Sequence, residues 1–591
     1  MCARLCVLAL APLALFAQRP CDNTPAYTPC EIAFELPAQT ANPYATAELK
    51  IEFRSPRFRT LAIPGFWDGG KRMIVRFSPT EGGDWQYHVT SNIPDWNDKE
   101  GAFTAAASDA PGFIRTAEVH HWAYTERNLP HLWMGANEPR LASLDDAAFH
   151  AMADARAAQK FNHVRTVIMG EGAYSSADAP NAAWFNRPDE RIRYLNEKGI
   201  VADLVLAPRP SFLTGLFPTW EQRRRFVRYL AARYAPMNVT WQGVQEFESD
   251  RDSRALLKEI GGVLKEADPY EHPRTSGARV TSAPLLDDGW MNFVAYGPGA
   301  GDSVGAVEHQ LYPVPFINAD MGRDDDPAAF RRRLWNATMD GQYPTYSGGA
   351  QDPNSPGAKA MTAWFDFFSG TRHWEMEPYF DVDGARALAL EDTDYVAYVE
   401  KPGPVELIVE KHAYEVLWMN PADGETTKQK KNFNGDHFTG EPPDKSHDWV
   451  LRLVRPGRIE SMARSYKFES RDSEEGSRAL PITIQEIETN PDKVPFQVEQ
   501  PAGDLSISKP TPYSAKISRQ TRATASMTWL WTGEVTSDQQ GYRVLGTGDK
   551  GTMQPSESMA KALPATLLVR LYGMNARGKV YELNKVCQLT P

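Results

Sequence analysis

The chain has only five cysteines in 591 residues, and none of them forms a C-x-x-C pair. Zinc-ribbon and thioredoxin-type redox motifs are therefore not supported. H-E-x-x-H is also missing, which leaves a metallopeptidase reading without a motif. There is no lysine/arginine stripe, and the formal net charge is −12, so a nucleic-acid partner is not indicated. No segment after the N-terminus is apolar over enough length to span a membrane, and no internal repeat is present.

The first residues read "MCARLCVLALAPLALFAQRP". Arg4 supplies a charged start, and the apolar run Leu5–Ala17 is too short for a transmembrane helix. This predicts a secretory signal peptide over residues 1–17 and a secreted or periplasmic protein. Cys2 and Cys6 would leave with it. An exported compartment permits a disulfide among Cys21, Cys30 and Cys587. Cys21–Cys30 is the local pairing; joining either to Cys587 would tie the chain ends together. One thiol is left over in each case.

Composition is 42% hydrophobic and 24% charged, with 16 Trp, 22 Tyr and 26 Phe. That suits a globular chain of several domains with aromatic-rich β cores. Residues 28–115 read as a β-sandwich. In Met73–Ser78, Met73, Val75 and Phe77 share one face, and Ile74 and Arg76 the other. From residue 120 to 375, eight short apolar strands alternate with helical stretches: "HLWMGAN", "HVRTVIMG", "IVADLVLAP", "VTWQGVQEF", "RTSGA", "MNFVAYG", "PFINADMG" and "PTYSGGA". Thr219 and Gln222 form a capping box, and Leu256, Leu257, Ile260, Val263 and Leu264 keep helical spacing. This rhythm predicts a (β/α)₈ TIM barrel. A doubly wound sheet would carry a Gly-rich first turn, which is missing after "HLWMGAN". Strands return over 378–455, read as a second β-sandwich, and 460–591 reads as a further β-rich domain.

Active sites of such barrels lie at the C-terminal ends of the strands. Glu246 ends strand four on the face of Val244, Gln242 and Thr240. On strand seven, alternation puts Phe316, Asn318 and Asp320 on one face, with Asp320 as the last inward residue. His163 and Arg165 on strand two face inward, where Asp320 would partner the buried arginine. Tyr296 ends strand six. Two carboxylates across a cleft are what glycoside hydrolysis needs: one protonated to release the leaving oxygen, one to attack or activate water. Arg165 and Tyr296 would keep the second ionised and oriented. Each residue also has an ordinary structural alternative: solvated acids before a helix, a structural ion pair, a core histidine, a packed tyrosine. Glu248 and Asp250 are read as solvated helix-start acids, and Asp324–Asp326 as part of a solvated run. Asn137 and Glu171 lie at the mouth as substrate-binding candidates. Trp184, Phe185 and Phe217 could stack on sugars or simply pack their loops.

"GFWDGGKRMIVRFSPTEGGDWQYHVTS" resembles the β-sandwich that precedes the barrel in a group of secreted glycoside hydrolases. "KFNHVRTVIM" and "VTWQGVQEF" resemble the apiosidase-like group of the large clan of retaining (β/α)₈ glycosidases. "ALALEDTDYVAYV" through "VLWMNPADGE" resembles a domain type labelled collagen-binding in the same proteins, a label that does not establish collagen binding. The resemblance implies Glu246 as acid/base, and Gln245 as the counterpart of an asparagine that hydrogen-bonds the sugar 2-hydroxyl. It implies Asp320 at the nucleophile position, where the clan usually has the longer glutamate. Arg165 and Tyr296 match its strand-two arginine and strand-six tyrosine. The expected protein is a glycoside hydrolase acting on a poly- or oligosaccharide, with no metal or organic cofactor in the mechanism. The competing expectation is a non-catalytic glycan- or matrix-binding protein on a degenerate barrel.

Overall fold

The structure, a computed structural model, describes residues 21–117, 119–126, 129–348, 354–462 and 486–591. The signal peptide expected over residues 1–17 lies outside the described residues.

Eight parallel strands build the central layer: β1 (Gly135–Asn137), β2 (His163–Val167), β3 (Val201–Ala207), β4 (Val239–Val244), β5 (Arg274–Thr275), β6 (Val294–Tyr296), β7 (Phe316–Asn318) and β8 (Gln342–Tyr346). The hydrogen-bonded order is β5-β4-β3-β2-β1-β8-β7-β6, a barrel closed everywhere except the seam between β5 and β6. Its outer helices are α1 (Asp146–Ala158), α2 (Ala182–Glu197), α3 (Trp220–Tyr234), α4 (Ser253–Ala267), α5 (Gly301–Leu311), α6 (Pro327–Met339) and α7 (Pro356–Ser369). Local chemistry sets their starts. Asp145, Asn181, Asp326 and Ser355 accept from first-turn amides of α1, α2, α6 and α7. Thr219 and Gln222 close both halves of the capping box at α3. The Leu256-to-Leu264 stripe of α4 is buried against the sheet.

The inward face of the barrel is polar. His163 stacks on Trp133 at 3.4 Å and meets Asp203 Oδ1 through Nδ1 at 2.9 Å; Thr240 donates to the same oxygen at 2.8 Å. A hairpin (Ile114–Ala117, His121–Tyr124) plugs the bottom, with Trp122 against Trp133 and Phe293.

Before the barrel, a three-stranded and a four-stranded antiparallel sheet enclose a core of Ile51, Phe53, Phe77, Trp85 and Phe103. Cys21 and Cys30 form a disulfide at its start, and Cys587 is buried and free. After the barrel, antiparallel strands from Glu377 to Val454 form a second β region, and residues 496–590 a third.

The second β region is joined to the barrel through a buried acid. Asp340, just after α6, meets Arg386 at 3.1 Å. Burial nevertheless pushes its carboxyl up to about 7, because Arg386 only partly offsets the lost hydration and Asp302 repels the charge. A carboxyl whose folded value is raised holds its proton longer when folded than when unfolded. Its contribution is therefore full at low pH and is lost as pH rises from about 4 to about 7. Urea unfolding across that window is expected to show falling stability, and Asp340→Asn is expected to flatten the slope.

Candidate active site

The strand register decides what reaches the mouth. Asn137, Arg165 and Asp203 are register partners across β1, β2 and β3, and all three point into the barrel. Arg165 is buried: its Nε donates to Gln242 Oε1 at 2.7 Å and its Nη1 to Asn137 Oδ1 at 3.4 Å. Burial pulls its guanidinium down, while the nearby Asp320 and Asp203 carboxylates hold it up. The expected direct pair between Arg165 and Asp320 is not formed within 4.0 Å. Neutral amides take the guanidinium hydrogens instead, and Asp320 acts on it through space.

Asp320 reaches the mouth by a different route from the one alternation predicted. Tyr296, Asn318 and Pro344 are register partners across β6, β7 and β8. That row faces the helices, since Asn318 bonds Gln342, whose amide lies against Gly305 of α5. Phe316 and Asn318 therefore point outward, and Ile317 and Ala319 take the inward side. The β7 ladder ends at Asn318, and beyond it the two-residue period no longer holds. The Asp320 carboxylate there accepts the Gly322 N–H at 2.9 Å and the Ser347 hydroxyl. Asn137 completes the arrangement, its Nδ2 donating to Ala319 O at 2.8 Å and Ser347 Oγ at 2.6 Å. Its amide is thus occupied in holding β1, β7 and β8 together.

Tyr296 is not at the mouth. Its ring lies parallel to Phe316 at 5.7 Å, packed with Val304 and Val307 of α5. Its hydroxyl is sealed beside Glu308, and burial and that carboxyl raise it well above the tyrosine range. It cannot orient Asp320.

Glu246 follows β4 in extended conformation, half-buried. Its carboxylate, and the side-chain amide of Gln245, make no hydrogen bond to other described residues. Gly277 sets the wall beside them. A β-carbon there would fall 2.4 Å from Gln245 O and 2.8 Å from an Arg165 nitrogen. Gly277→Ala is therefore expected to displace the Glu246 loop, visible as faster hydrogen exchange at the Phe247 N–H, which donates to Gly277 O at 3.3 Å.

Glu248 is not a solvated helix-start acid. It accepts the Arg279 and Val280 N–H groups at 2.7 and 3.0 Å, and burial raises its carboxyl. Arg543 of the last β region sits over Phe247 at 5.0 Å and Ser558 donates to Glu248 O at 3.1 Å, so that region braces the Glu246 loop. Asp250 accepts the Ser211 N–H at 2.8 Å, tying two mouth loops together. Asp324 accepts the Gly357 N–H at 2.7 Å at the start of α7. Phe185 and Phe217 are fully buried in aromatic packing and are unavailable to a sugar. Trp184 is half-buried and covers Gly170 and Gly172, next to exposed Glu171. Ser347, Gln242 and Asp203 were not singled out from sequence. Ser347 continues the Tyr343–Thr345 face, and Asp203 is a lone acid in the apolar run "VADLVLA".

Residues 120–370 match the profile of the apiosidase-like catalytic domain family, and residues 23–92 that of the domain of unknown function DUF5060. No curated protein matches the chain. A candidate glycoside hydrolase from Bacteroides vulgatus has the same fold over 73% of this chain and 99% of its own, at 19% identity and a TM-score of 0.64. A family 5 glycoside hydrolase from the same organism covers 59% of this chain and 95% of its own, at 15% identity and a TM-score of 0.51. Residues 120–370 thus match the apiosidase-like profile and fold as a (β/α)₈ barrel set between β-rich regions.

Proposed function

We propose that the chain is an exported glycoside hydrolase that cleaves a poly- or oligosaccharide with two carboxylates, Glu246 as acid/base and Asp320 as nucleophile. One observation carries the reading. Asp320 is oriented by Ser347 and Gly322 in the field of buried Arg165, and an unpaired Glu246 stands at the end of β4. A carboxylate fixed by two donors is held in one orientation for attack. A carboxyl without partners is free to pass a proton to a leaving oxygen. The apiosidase-like profile and the shared fold support the same class of chemistry. The Cys21–Cys30 disulfide supports export. Gln245 would donate to a sugar hydroxyl, and Glu171 and Trp184 would line the approach.

The deciding experiment exposes the purified chain to plant, algal and bacterial glycans and follows released sugars. Cleavage of at least one glycan, slowed at least about a hundredfold in Glu246→Gln, is the expected result. Binding without cleavage across the panel would favour the non-catalytic glycan-binding alternative.

A further inference from the structure

At the bottom of the barrel, opposite the mouth, three segments distant in sequence bring imidazoles around one carboxylate. They are the plug hairpin (His120, His121), the last turn of α5 (His309), and the strand Glu377–Tyr379 of the second β region. Glu377 Oε2 lies 2.9 Å from His120 Nδ1 and 3.6 Å from His309 Nε2. Its Oε1 lies 3.3 Å from His121 Nε2. Around a tetrahedral ion with bonds of about 2.0–2.1 Å, neighbouring donor atoms stand about 3.3–3.4 Å apart. The two separations at Oε2 bracket that edge length. One donor atom each from His120, His309 and Glu377 also lies within 4.8 Å of the others.

The surroundings fix the rings as ligands. His120 Nε2 faces Tyr312 O at 3.1 Å. A carbonyl only accepts, so Nε2 carries a proton, and a neutral ring then presents its Nδ1 lone pair to Glu377. A lone pair and a carboxylate oxygen 2.9 Å apart need a cation between them, either a proton or a metal. His121 is set from behind by Tyr343, its Nδ1 2.8 Å from the hydroxyl. His309 Nε2, His121 Nε2 and Glu377 Oε1 are buried with no hydrogen-bond partner. A cavity of about 30 Å³ lined by His121, His309, His373 and Tyr343 adjoins them, room for one water-sized ligand.

We propose a structural divalent-cation site of the zinc class, held by His120 Nδ1, His309 Nε2 and Glu377 Oε2, with the fourth position left to a water-sized ligand on the side of the adjoining cavity. The ion would pin the hairpin plug and α5 to the second β region. It takes no part in chemistry at the mouth.

The test uses the full chain, treated with chelator, confirmed folded by circular dichroism, and titrated with zinc or cobalt(II) alone. Expected are one equivalent of metal retained after gel filtration, visible absorption bands of tetrahedral cobalt, and a raised Tm. His309→Gln and His120→Asn are expected to weaken zinc at least tenfold, and exposed His150→Gln to leave it unchanged. A folded wild-type chain that retains no stoichiometric metal and whose Tm ignores it would overturn the site in favour of a proton-bridged His–Glu cluster. Folded variants with wild-type affinity would overturn it too, placing the ion elsewhere. If the variants do not fold, the wild-type cobalt spectrum decides.

Discussion

Asp320→Asn is expected to abolish turnover on every substrate, while Glu246→Gln loses about 10²–10⁴-fold, and less where the leaving group needs no proton. The difference follows from the two roles. In a double-displacement route the nucleophile must form the glycosyl-enzyme, whatever the leaving group. The acid/base is dispensable for an aryl glycoside whose phenolate leaves unaided, and azide replaces water without needing a base. Glu246→Gln with azide should therefore release a glycosyl azide of retained configuration, identified by proton NMR. Neither variant should unfold. Glu246 makes no side-chain hydrogen bond or ion pair among the described residues to lose, and in Asp320→Asn the amide oxygen of the introduced side chain would still accept from Gly322 and Ser347. A hydrolysis product of inverted configuration from the wild-type chain, read by proton NMR, would recast Asp320 as the base of an inverting enzyme, a role open to the shorter carboxylate. Full activity in either variant would sink the assignment of that residue.

The placement of Glu246 near the barrel mouth was legible in the sequence because it follows a strand whose alternation is sound: Thr240 and Gln242 do face the barrel, and Trp241 and Gly243 the helices. The eight strands and the capping box at α3 were legible for the same reason, since period and caps are local. Asp320 was found on a misassigned face. Its position depends on where the β7 ladder stops and on Ser347 and Gly322, which only the fold brings to it. Tyr296 failed because it closes a three-residue strand, too short for its pattern to reveal which side is the barrel. Glu248 failed differently. "EFESD" looks like a charged helix start, but the partners that bury Glu248 lie on the loop after β5 and in the last β region. Long-range burial leaves no local trace.

Loss of Asp189 is expected to have the largest effect on stability, about 3–5 kcal/mol for Asp189→Ala. The strand Arg72–Phe77 is buried on both faces. Met73, Val75 and Phe77 enter the core of the first sandwich, and Ile74 enters the barrel cluster. Arg76 goes with Ile74 and must be neutralised there. Its guanidinium donates to Asp189 Oδ2 at 2.6 Å, Glu31 Oε1 at 3.0 Å and Arg233 O at 2.5 Å. Arg233 donates to the other Asp189 oxygen at 2.9 Å and stacks on Phe66 at 4.8 Å. One buried carboxylate thus serves two buried arginines, and their fields hold it below the usual aspartate range despite its burial. Removing it leaves two buried cations with only the more exposed Glu31 and Asp68 to pair them. The half-exposed Lys50–Glu52 pair, 2.7 Å apart, is the proper comparison, since breaking it should cost no more than about 1 kcal/mol. Urea unfolding of Asp189→Ala and Glu52→Ala would measure both. If the two variants lose equal stability, the first sandwich is held to the barrel by apolar contacts such as Ile74 and Phe66, and the arginine clamp contributes only register.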